Sequence, residues 1–396
     1  MASIGVLSIF DMNNIGNRLQ NYALVEALKN WGHDPVVLEN YPYPWREDPE
    51  FAAHSQRVPV RQLAAVRDGV RFRLWRDTPP WARALPKRLI AGVHRDPAAA
   101  MNAVSKADRT QALARFTRRR MQVSAEVYRR PEDLQGLGSR YDAFVVGSDQ
   151  VWNPHYRLGC PMDLLHFAPP HKRIAYAASV GADSFGEAEP VFRRLLPAMG
   201  AVSVRESAAA TLVEQTTGRR VPVMPDPTIL HDSAFWGRLA DDAPPWGVHP
   251  YVATYLLYRN GPDVMGPVRD RAEAEGMQCH DVLRPSAPRS AQRAGAEGFL
   301  RALRDAEYVV TDSFHATLFS IIFRVPVVVL ARDGGQNARI DTLLSLFGLS
   351  SEDVIGTPAG RPTGPLVDDP DAVLAPVRDG AGSWLQAALA AALSGG

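Results

Sequence analysis

The sequence predicts an α/β protein with two parallel sheets in tandem. Short apolar runs alternate with helical patterns near both ends of the chain, which is typical of parallel α/β units. The 396 residues suit two domains, because one domain holds roughly 100–200 residues. Polar residues directly follow several strands, and in such folds the loops at the carboxyl ends of parallel strands bind ligands. We therefore expect two sheet domains that face each other across a cleft.

The first domain is expected over residues 1–235 and begins with a strand–turn–helix unit. Ile4–Phe10 is an apolar run that predicts a strand, and the helical spacing after it ends at Gly32. Pro35–Leu38 then begins the second strand. Four more buried strands are predicted from short apolar runs with loops at their carboxyl ends. These are Ala143–Val146, Arg173–Ala178, Val202–Val204 and Val221–Met224.

A different pattern occupies about 46–135. Segments rich in Arg and Ala and broken by prolines predict several helices here rather than a sheet. Residues 51–130 carry 16 Arg and 2 Lys against 5 acidic residues, a net charge of +13, which leaves −12 for the rest of a chain whose total is +1. The near-zero total therefore hides a basic module in an acidic body. This module either selects an anionic partner or is a set of solvated helices.

The second domain is expected over residues 236–370, with a Pro-rich linker candidate at Asp241–Trp246 near its start. Its strands are predicted at Tyr251–Leu257, near Cys279–Leu283, at Tyr308–Thr311 and at Val325–Leu330. Helices are predicted from about Pro262, at Glu297–Arg304, from about Ala316 and at Gly382–Ser394. The alternation of strand and helix patterns again indicates a parallel sheet.

The composition excludes several classes of protein. Cys160 and Cys279 are far apart and lack metal-ligand spacing, which excludes a disulfide framework and a cysteine zinc site and favours a reducing compartment. Met1–Phe10 has no basic region before its apolar run, and no run reaches the roughly 18 apolar residues that span a bilayer. The near-neutral charge argues against a nucleic-acid-coating protein. We expect a cytoplasmic protein with no metal site and no nucleic-acid partner.

Polar residues in the first turn form a candidate binding site. Asn14, Gly16 and Asn17 lie between the first strand and the first helix. Glycine allows close backbone approach, and the free amides of a helix N-terminus attract an anion or hydroxyl oxygens. The structural alternative is a helix cap at Asn17 and a turn at Gly16.

A second group follows the strand that ends near Gly147. Ser148, Asp149 and Gln150 present a hydroxyl, a carboxylate and an amide on one loop, and Trp152 supplies an indole that can cover the face of a sugar. Sugars are bound by such polar groups together with an aromatic platform. The alternative is a capped helix start, with Trp152 in the core.

A third group contains Arg205 and Glu206 at the end of an apolar strand. An arginine is expensive to bury without a partner, so Arg205 either pairs with an acid or binds an anionic ligand. Asp226, in the last motif of the same domain, is interpreted as the partner of an arginine or as a turn residue.

The strongest group lies after a strand of the second domain. Thr311, Ser313 and His315 bring two hydroxyls and an imidazole to the start of a helix, a pattern that predicts a phosphate site with an acid/base residue attached. The alternative is Ser313 as a helix cap and His315 as an ordinary first-turn residue. Asn337 and Arg339 follow the next strand and add an amide and a cation at the same edge, unless Arg339 is salt-bridged in an ordinary loop.

Ordered motifs over about 340 residues resemble those of the polysaccharide pyruvyl transferase family. They are FDMNNIGNRLQNYALVEAL at 10–28, YDAFVVGSDQVWNP at 141–154, RIAYAASVGADSFG at 173–186, VSVRE at 202–206, VPVMPDPTIL at 221–230, YVVTDSFHATLFSIIFRVPVVVL at 308–330 and NARIDTLLSLFGL at 337–349. The basic segment at about 46–135 is covered by none of them.

The resemblance implies a GT-B-like pair of Rossmann-like domains, with a basic helical insertion in the first and a C-terminal helix at 371–396 that crosses back to it. It also implies transfer of pyruvate from phosphoenolpyruvate to a sugar as a ketal, without a cofactor. Arg205, Arg339, Thr311, Ser313 and Asn337 would bind this donor.

The remaining roles are hypotheses from the chemistry that this reaction requires. His315 would transfer the proton to the donor, because an unperturbed imidazole titrates near neutrality. Asp149 would act as base on the acceptor. The acceptor would be held by Asn14, Gly16, Asn17, Ser148, Gln150 and Trp152.

The acceptor implied by the family is a glycan, a glycolipid or a glycoside, and the sequence predicts neither its identity nor the oligomeric state. A location at the inner face of the membrane, with peripheral contact to anionic lipid, stays open because of the basic module. Two other functions stay open as well. One is a GT-B-type glycosyltransferase with a nucleotide-sugar donor, and the other is a non-catalytic protein that binds an anionic polymer or a membrane surface.

Overall fold

The computed structural model describes residues 1–52, 97–247, 250–257, 264–285, 290–331 and 338–395. The strands of its first sheet are β1 (Ser3–Leu7), β2 (Asp34–Asn40), β3 (Val123–Tyr128), β4 (Ala143–Gly147), β5 (Arg173–Ala178) and β6 (Ala201–Val204). All of them pair in parallel, in the order β3-β2-β1-β4-β5-β6. This order reverses between β1 and β4, which is where a doubly wound sheet opens its ligand crevice.

The second sheet contains β7 (Tyr251–Tyr255), β8 (Gln278–Asp281), β9 (Tyr308–Thr311) and β10 (Val327–Val329). These strands are also parallel and lie in the order β10-β9-β7-β8. Most strands of both sheets are short and apolar, and they alternate with helices along the chain. The predicted α/β fold with two Rossmann-like sheets is confirmed, whereas the domain bounds at 235 and 370 stay predictions.

Helices cover the sheets and connect their strands. They are α1 (Ile15–Asn30), α2 (Pro49–Ala52), α3 (Pro97–Arg120), α4 (Pro154–Arg157), α5 (Glu189–Leu195), α6 (Ser207–Thr217), α7 (Ser233–Asp241), α8 (Met265–Ala274), α9 (Ser290–Arg293), α10 (Ala296–Arg304), α11 (Phe314–Ile322), α12 (Ala338–Ser345), α13 (Ser351–Val354) and α14 (Pro370–Ser394). Among the described residues, none of these helices combines the length and the apolar character that crossing a bilayer requires.

The expectation of a purely helical segment at about 46–135 is wrong at its end. Residues 123–128 form β3, the edge strand of the first sheet, which pairs with β2 from Val37 to Asn40. Val123 and Val127 supply the branched side chains that favour a strand, and they pack against the core. The helical part that is described is α3, while residues 53–96 lie outside the described residues.

One other expectation about the first domain needs correction. Val221–Met224 forms no strand and contributes one bridge, between Val223 and Val204, because Pro222 and Pro225 lack the amide hydrogens that a strand donates. The Pro-rich stretch at Asp241–Trp246, predicted as a linker, packs against the second sheet's helices, and its role as a linker stays a prediction. Trp246 is buried and donates to Gly298 O (2.7 Å) in α10, so it belongs to the second sheet's surroundings.

The C-terminal helix returns to the first sheet, as the resemblance implied. It begins at Pro370, close to the start at 371 that the resemblance implied and earlier than the start at Gly382 that the local pattern predicted, and Pro376 lies inside it. Leu385 and Leu389 pack with residues of β1, β4 and β5 in one apolar cluster. The guanidinium of Arg378 anchors the helix by donating to Ile229 O (3.0 Å) at the chain crossing between the sheets.

An apolar seam joins the two halves of the molecule. Tyr22 of α1 packs edge-on against Phe116 of α3 (5.3 Å between ring centroids) and against Trp236 of α7 (6.5 Å). Trp236 in turn contacts Phe319 of α11 (4.9 Å). These rings belong to one buried cluster that includes side chains from both sheets. The seam therefore holds the carboxyl ends of the two sheets close together.

Candidate active site

The two sheets meet through the first turns of α1 and α11. Gly16 of α1 lies against the imidazole of His315, and a Cβ atom at Gly16 would be only 2.2 Å from His315 Nδ1 and 2.5 Å from Cγ. Any larger residue would have to displace the ring. The close backbone approach predicted at Gly16 is thus made by His315. This contact brings a residue predicted to bind the acceptor next to the residue predicted to protonate the donor.

Asp226 lies at the centre of the site. One of its oxygens, Oδ2, accepts from Arg205 Nη1 (2.8 Å) and from the hydroxyl of Ser148 (3.2 Å). His315 Nε2 lies 3.5 Å from the same oxygen, longer than an ordinary hydrogen bond. The other oxygen accepts from the amide and the hydroxyl of Thr228. Residues of three separate segments therefore converge on one buried carboxylate.

The charges of this group stabilise one another. Burial by itself raises the pKa of Asp226, but His315 and the charge of Arg205 outweigh burial and hold this pKa below its usual value. Burial likewise disfavours the charged form of Arg205, but Asp226, Glu206 and Asp149 raise its pKa above the usual value. Asp226 and Arg205 therefore form a buried ion pair.

Arg205 is buried but incompletely bonded. Its guanidinium lies over the ring of Phe314 (4.7 Å from Cζ to the centroid). Nη2 is 3.9 Å from Asp149 Oδ1 and Nε is 3.9 Å from Glu206 Oε2. Neither nitrogen has a hydrogen-bond partner among the described residues. Buried donors without partners are costly, so this geometry favours a ligand that accepts from Arg205.

Asp149 is held in a strained turn. Its backbone has φ +55°, in the left-handed region that non-glycine residues rarely adopt. Asn17 Nδ2 donates to Asp149 Oδ2 (3.1 Å), and Arg18 donates in turn to Asn17 Oδ1. At the preceding Gly147, φ is +146° and a Cβ atom would lie 1.9 Å from Tyr176 O. The turn thus directs the Asp149 carboxylate toward Arg205.

Glu206 was predicted only as a possible partner of Arg205. Its Oε1 accepts from the hydroxyl of Ser179 (3.0 Å) and from the amides of Val180 (2.9 Å) and Gly181 (3.2 Å). The loop after β5 is therefore tied to the end of β6. The apolar sequence before Arg205 carries no signal for these bonds, because they join segments about 25 residues apart.

The hydroxyls of the second sheet are already used by the backbone. Thr311 Oγ1 donates to Tyr255 O (2.6 Å) and accepts from Ser313 N (3.0 Å). Ser313 caps α11, with its Oγ 3.5 Å from Ala316 N. The capping alternative for Ser313 is thus observed, and donor binding by Thr311 and Ser313 stays a prediction. Asn337 lies outside the described residues.

A pocket opens beside Arg205. It has a volume of about 280 Å³ and lies between the end of β6, the Pro225–Asp226 segment, α11, α12 and α14. Arg205 and Arg339 both line it, together with Phe314 and apolar residues of α12 and α14. The two arginines predicted to bind the donor therefore share one pocket.

The predicted acceptor residues divide into two groups. Trp152 is buried, packs against Phe192 and donates from Nε1 to Asp163 O (2.9 Å), so the expectation that its ring covers a sugar is wrong. Ser148 and Asn17 are also fully buried, and their side chains bond within the protein. Only Asn14 and Gln150 of this set keep partly exposed side chains.

Asn14 also corrects the expected cap. Its side chain accepts from Asn17 N (3.1 Å), so Asn14 caps α1 and Asn17 does not. Gln150 lies against Gly181, where a Cβ atom would be 2.0 Å from Gln150 Nε2. The exposed part of the predicted acceptor set therefore lies on the rim formed by the turn before α1 and the loop after β4, and acceptor binding there stays a prediction.

A group that could hold a metal ion occurs elsewhere, at Asp48, Glu50 and His166. These side chains already have partners within the protein: His166 Nε2 lies 3.1 Å from Asp48, and Glu50 pairs with Arg194 (2.7 Å). None of the three was predicted as a site residue. The expected lack of a metal cofactor stays a prediction.

A cleft between two parallel sheets that joins a buried ion pair, a strained carboxylate turn and an imidazole defines a two-domain α/β enzyme. The family model described as polysaccharide pyruvyl transferase matches residues 14–334 of the chain. The chain therefore belongs to the polysaccharide pyruvyl transferase family and is a transferase. The resemblance seen in the sequence motifs is thus confirmed.

Solved structures of remote similarity have the same general size. UGT89C1 of Arabidopsis thaliana, solved with UDP-L-rhamnose, is 11% identical over 99% of both chains, with a TM-score of 0.45. The UDP-GlcNAc 2-epimerase of Methanocaldococcus jannaschii is 11% identical over 91% of this chain and 96% of its own (TM-score 0.39). The glycosyltransferase SnogD of Streptomyces nogalater is 14% identical over 99% of both (TM-score 0.35). No curated protein matches the chain.

Proposed function

We propose that this transferase moves pyruvate from phosphoenolpyruvate to hydroxyls of a sugar-containing acceptor, forms a cyclic ketal and releases phosphate. The observation that carries the proposal is the convergence of Arg205 and His315 on Asp226. A cation with unfilled donors and an acid/base residue thereby lie side by side. This pair suits a small anionic substrate that must be protonated on carbon.

The donor is held by charge. Phosphoenolpyruvate carries a carboxylate and a phosphate, and guanidinium groups bind both with paired hydrogen bonds. Nε and Nη2 of Arg205 supply donors without other hydrogen bonds in the described part of the chain. Arg339 lines the same pocket and takes the second anionic group. The N-terminus of α11 adds a positive field near the phosphate. Asn337 completes the set of donor-binding residues predicted from the sequence.

The reaction proceeds by an addition followed by a substitution. In the first, an acceptor hydroxyl attacks the carbon that bears the phosphate, His315 delivers a proton to the methylene carbon, and Asp149 takes the hydroxyl proton. The methylene group thereby becomes a methyl group, and the carbon–carbon double bond becomes a single bond. In the second, a neighbouring hydroxyl forms a bond to the same carbon, phosphate leaves with the bonding electrons, and the proton of that hydroxyl returns to solvent.

The acceptor approaches from the rim formed by Asn14 and Gln150, which are partly exposed. Asp149 lies directly beside this rim, and Asn17 orients its carboxylate. The acceptor class is a glycan, glycolipid or glycoside, bound in the cytoplasm or at the inner face of the membrane. The reaction as written uses no metal or other cofactor, because proton transfer and charge stabilisation are supplied by side chains.

The test combines donor turnover with product mass. Purified protein is incubated with phosphoenolpyruvate and candidate glycoside acceptors, and the pyruvylated product and released phosphate are measured. We expect His315→Gln to lower turnover by about 10²- to 10⁴-fold, the usual contribution of acid–base catalysis. His155→Gln is the matched control, since His155 is exposed. Wild-type turnover in His315→Gln overturns the assignment of the proton.

The donor itself is tested by thermal shift. Phosphoenolpyruvate is expected to stabilise the wild-type protein, and a nucleoside diphosphate is not. Arg205→Lys should raise the donor KM sharply because an ammonium cannot replace the paired guanidinium donors, whereas Arg220→Lys, at an exposed ion pair, should not. Stabilisation by the nucleoside diphosphate alone would instead favour a nucleotide-sugar donor.

A further inference from the structure

Arg109 of α3 connects the two sheets through a single side chain. Its Nε donates to Asn13 O (2.9 Å), in the turn before α1, and its Nη1 donates to Leu283 O (2.7 Å), just after β8. Asn13 belongs to the first sheet's loop and Leu283 to the second sheet's loop. One planar guanidinium therefore spans the cleft between the two.

Neighbouring residues of α3 repeat this pattern. Thr110 Oγ1 donates to the side chain of Asn13 (2.7 Å), and Asp108 accepts from the hydroxyl of Ser290 (2.5 Å) at the start of α9. Three consecutive residues, Asp108 to Thr110, thus bind both sides of the cleft. Helix α3 belongs to the basic module for which the sequence left an anionic partner open. At residues 108–110, however, its side chains bind other parts of the same protein.

Arg109 is an unusual choice for a purely structural contact. Burial lowers its pKa, and its two described bonds go to neutral carbonyls rather than to a carboxylate. The charges of Asp11 and Asp281 raise this pKa but do not offset burial, so the two hydrogen bonds to carbonyls replace part of the hydration that the guanidinium loses. A guanidinium fork reaches two carbonyls at once, whereas a lysine ammonium is a single point charge on a flexible stem.

The turn that Arg109 holds controls the reacting groups. Asn13 precedes Asn14, which caps α1. Gly16, three residues after Asn13, lies against the ring of His315. The next residue, Asn17, donates to Asp149. A shift of this turn would therefore change the position of His315 and that of Asp149 together.

We propose that Arg109 is a positioning residue that sets the separation of Asp149 and His315 by fixing the turn before α1 against the second sheet. This inference rests on the proposed function, in which these two residues act on the acceptor and on the donor. Arg109 touches neither substrate. Its loss should lower kcat more than it raises the donor KM, because misplaced reacting groups cost rate even when the donor still binds.

The experiment compares Arg109→Lys and Arg109→Gln with Arg118→Gln, an exposed arginine on the same helix. Both Arg109 variants are expected to lower kcat at least tenfold with a donor KM within about twofold of wild type, since small misplacements near the chemistry are costly. Arg118→Gln should match wild type. Arg109→Lys keeps the charge and stem, so it remains informative where Arg109→Gln does not fold.

Amide hydrogen exchange supplies a readout that does not depend on turnover. In the Arg109 variants, exchange should accelerate both in residues 11–17 and around 283–285, while the strands of the two sheets keep their protection. Unchanged exchange at either segment, or a kcat equal to that of wild type, overturns the proposal. Faster exchange in a protein that shows no pyruvyl transfer with phosphoenolpyruvate retains the clamp and refutes the proposed function instead.

Discussion

The carboxyl ends of the two sheets contribute in different ways to the site. At the first sheet, Asp149, Arg205 and Asp226 form a charged network with unfilled donors on Arg205. At the second, the hydroxyls of Thr311 and Ser313 bind backbone groups. The side chain of His315 extends from this sheet to Asp226 of the first-sheet network. The first sheet therefore supplies fixed charge and the second supplies a titratable ring. The same strand–loop–helix pattern thus holds fixed charges in one domain and, in the proposed mechanism, the proton-transfer group in the other.

The largest expected effect comes from removing the charge at the centre of the first-sheet network. Asp226→Asn leaves Arg205 buried without its closest acid, so the free energy of unfolding should fall by about 3–5 kcal/mol, as for other broken buried pairs. Urea unfolding measures this change. Asp241→Asn is the control, because Asp241 pairs with Arg304 at the surface and exposed pairs contribute about 0–1 kcal/mol. Equal losses in the two variants would show that the central network carries no special stability.

The pH dependence of stability sharpens the same comparison. Burial raises the pKa of Asp226, but His315 and Arg205 outweigh it and keep the pKa below its usual value. A carboxyl with a lowered folded-state pKa stabilises the protein above its unfolded pKa of about 3.9, and this stability is lost as the pH falls toward the folded-state pKa. Wild-type stability should therefore fall more steeply below about pH 4 than that of Asp226→Asn. Parallel curves would contradict the pairing.

The next effect tests the contact between the two sheets. Gly16→Ala places a methyl group where the ring of His315 lies, and such overpacking costs about 1–3 kcal/mol. Displacing a catalytic group by about 1 Å lowers turnover by about 10²-fold. Gly364→Ala is the control, since a Cβ atom there meets no neighbour within 4 Å. A Gly16→Ala enzyme with normal turnover would place the reacting groups elsewhere.

A smaller effect separates the core from the acceptor rim. Trp152→Phe removes the hydrogen bond to Asp163 O and leaves a buried carbonyl without it, which costs about 1–3 kcal/mol. The acceptor KM should stay at the wild-type value because Trp152 is buried. Denaturant unfolding and steady-state kinetics give the two numbers. A raised acceptor KM with unchanged stability would restore Trp152 to the acceptor site.

The smallest effect concerns the cap of α11. Ser313→Ala removes the side-chain acceptor near Ala316 N, and loss of an N-cap costs about 1 kcal/mol. Thermal unfolding measures it, with Ser345→Ala as an exposed serine control. If the hydroxyl also binds phosphate, the donor KM rises in addition. A change in stability without a change in KM would limit Ser313 to capping.

Local sequence patterns predicted the strands well and the side-chain environment less well. β5 and β9 have the predicted bounds, because apolar runs between loops are a local signal. β3 was missed, since an edge strand is half exposed and its surroundings are rich in arginine. Asp226 was read as an arginine partner or a turn residue, yet its central role depends on His315, 89 positions away, and on packing between sheets. Such convergence leaves no trace in the spacing of neighbouring residues.

The return of α14 to the first sheet affects how the protein is made. Ala381, Leu385 and Leu389 complete the apolar cluster over β1, β4 and β5, although α14 is synthesised well after these three strands. Domains generally begin to fold during synthesis, starting with the N-terminal one. Leu24 and Leu28 of α1 cover part of the same face, but the rest stays uncovered until α14 has left the ribosome. Nascent chains halted before Pro370 should therefore expose that part of the sheet and depend on chaperones until α14 has been added.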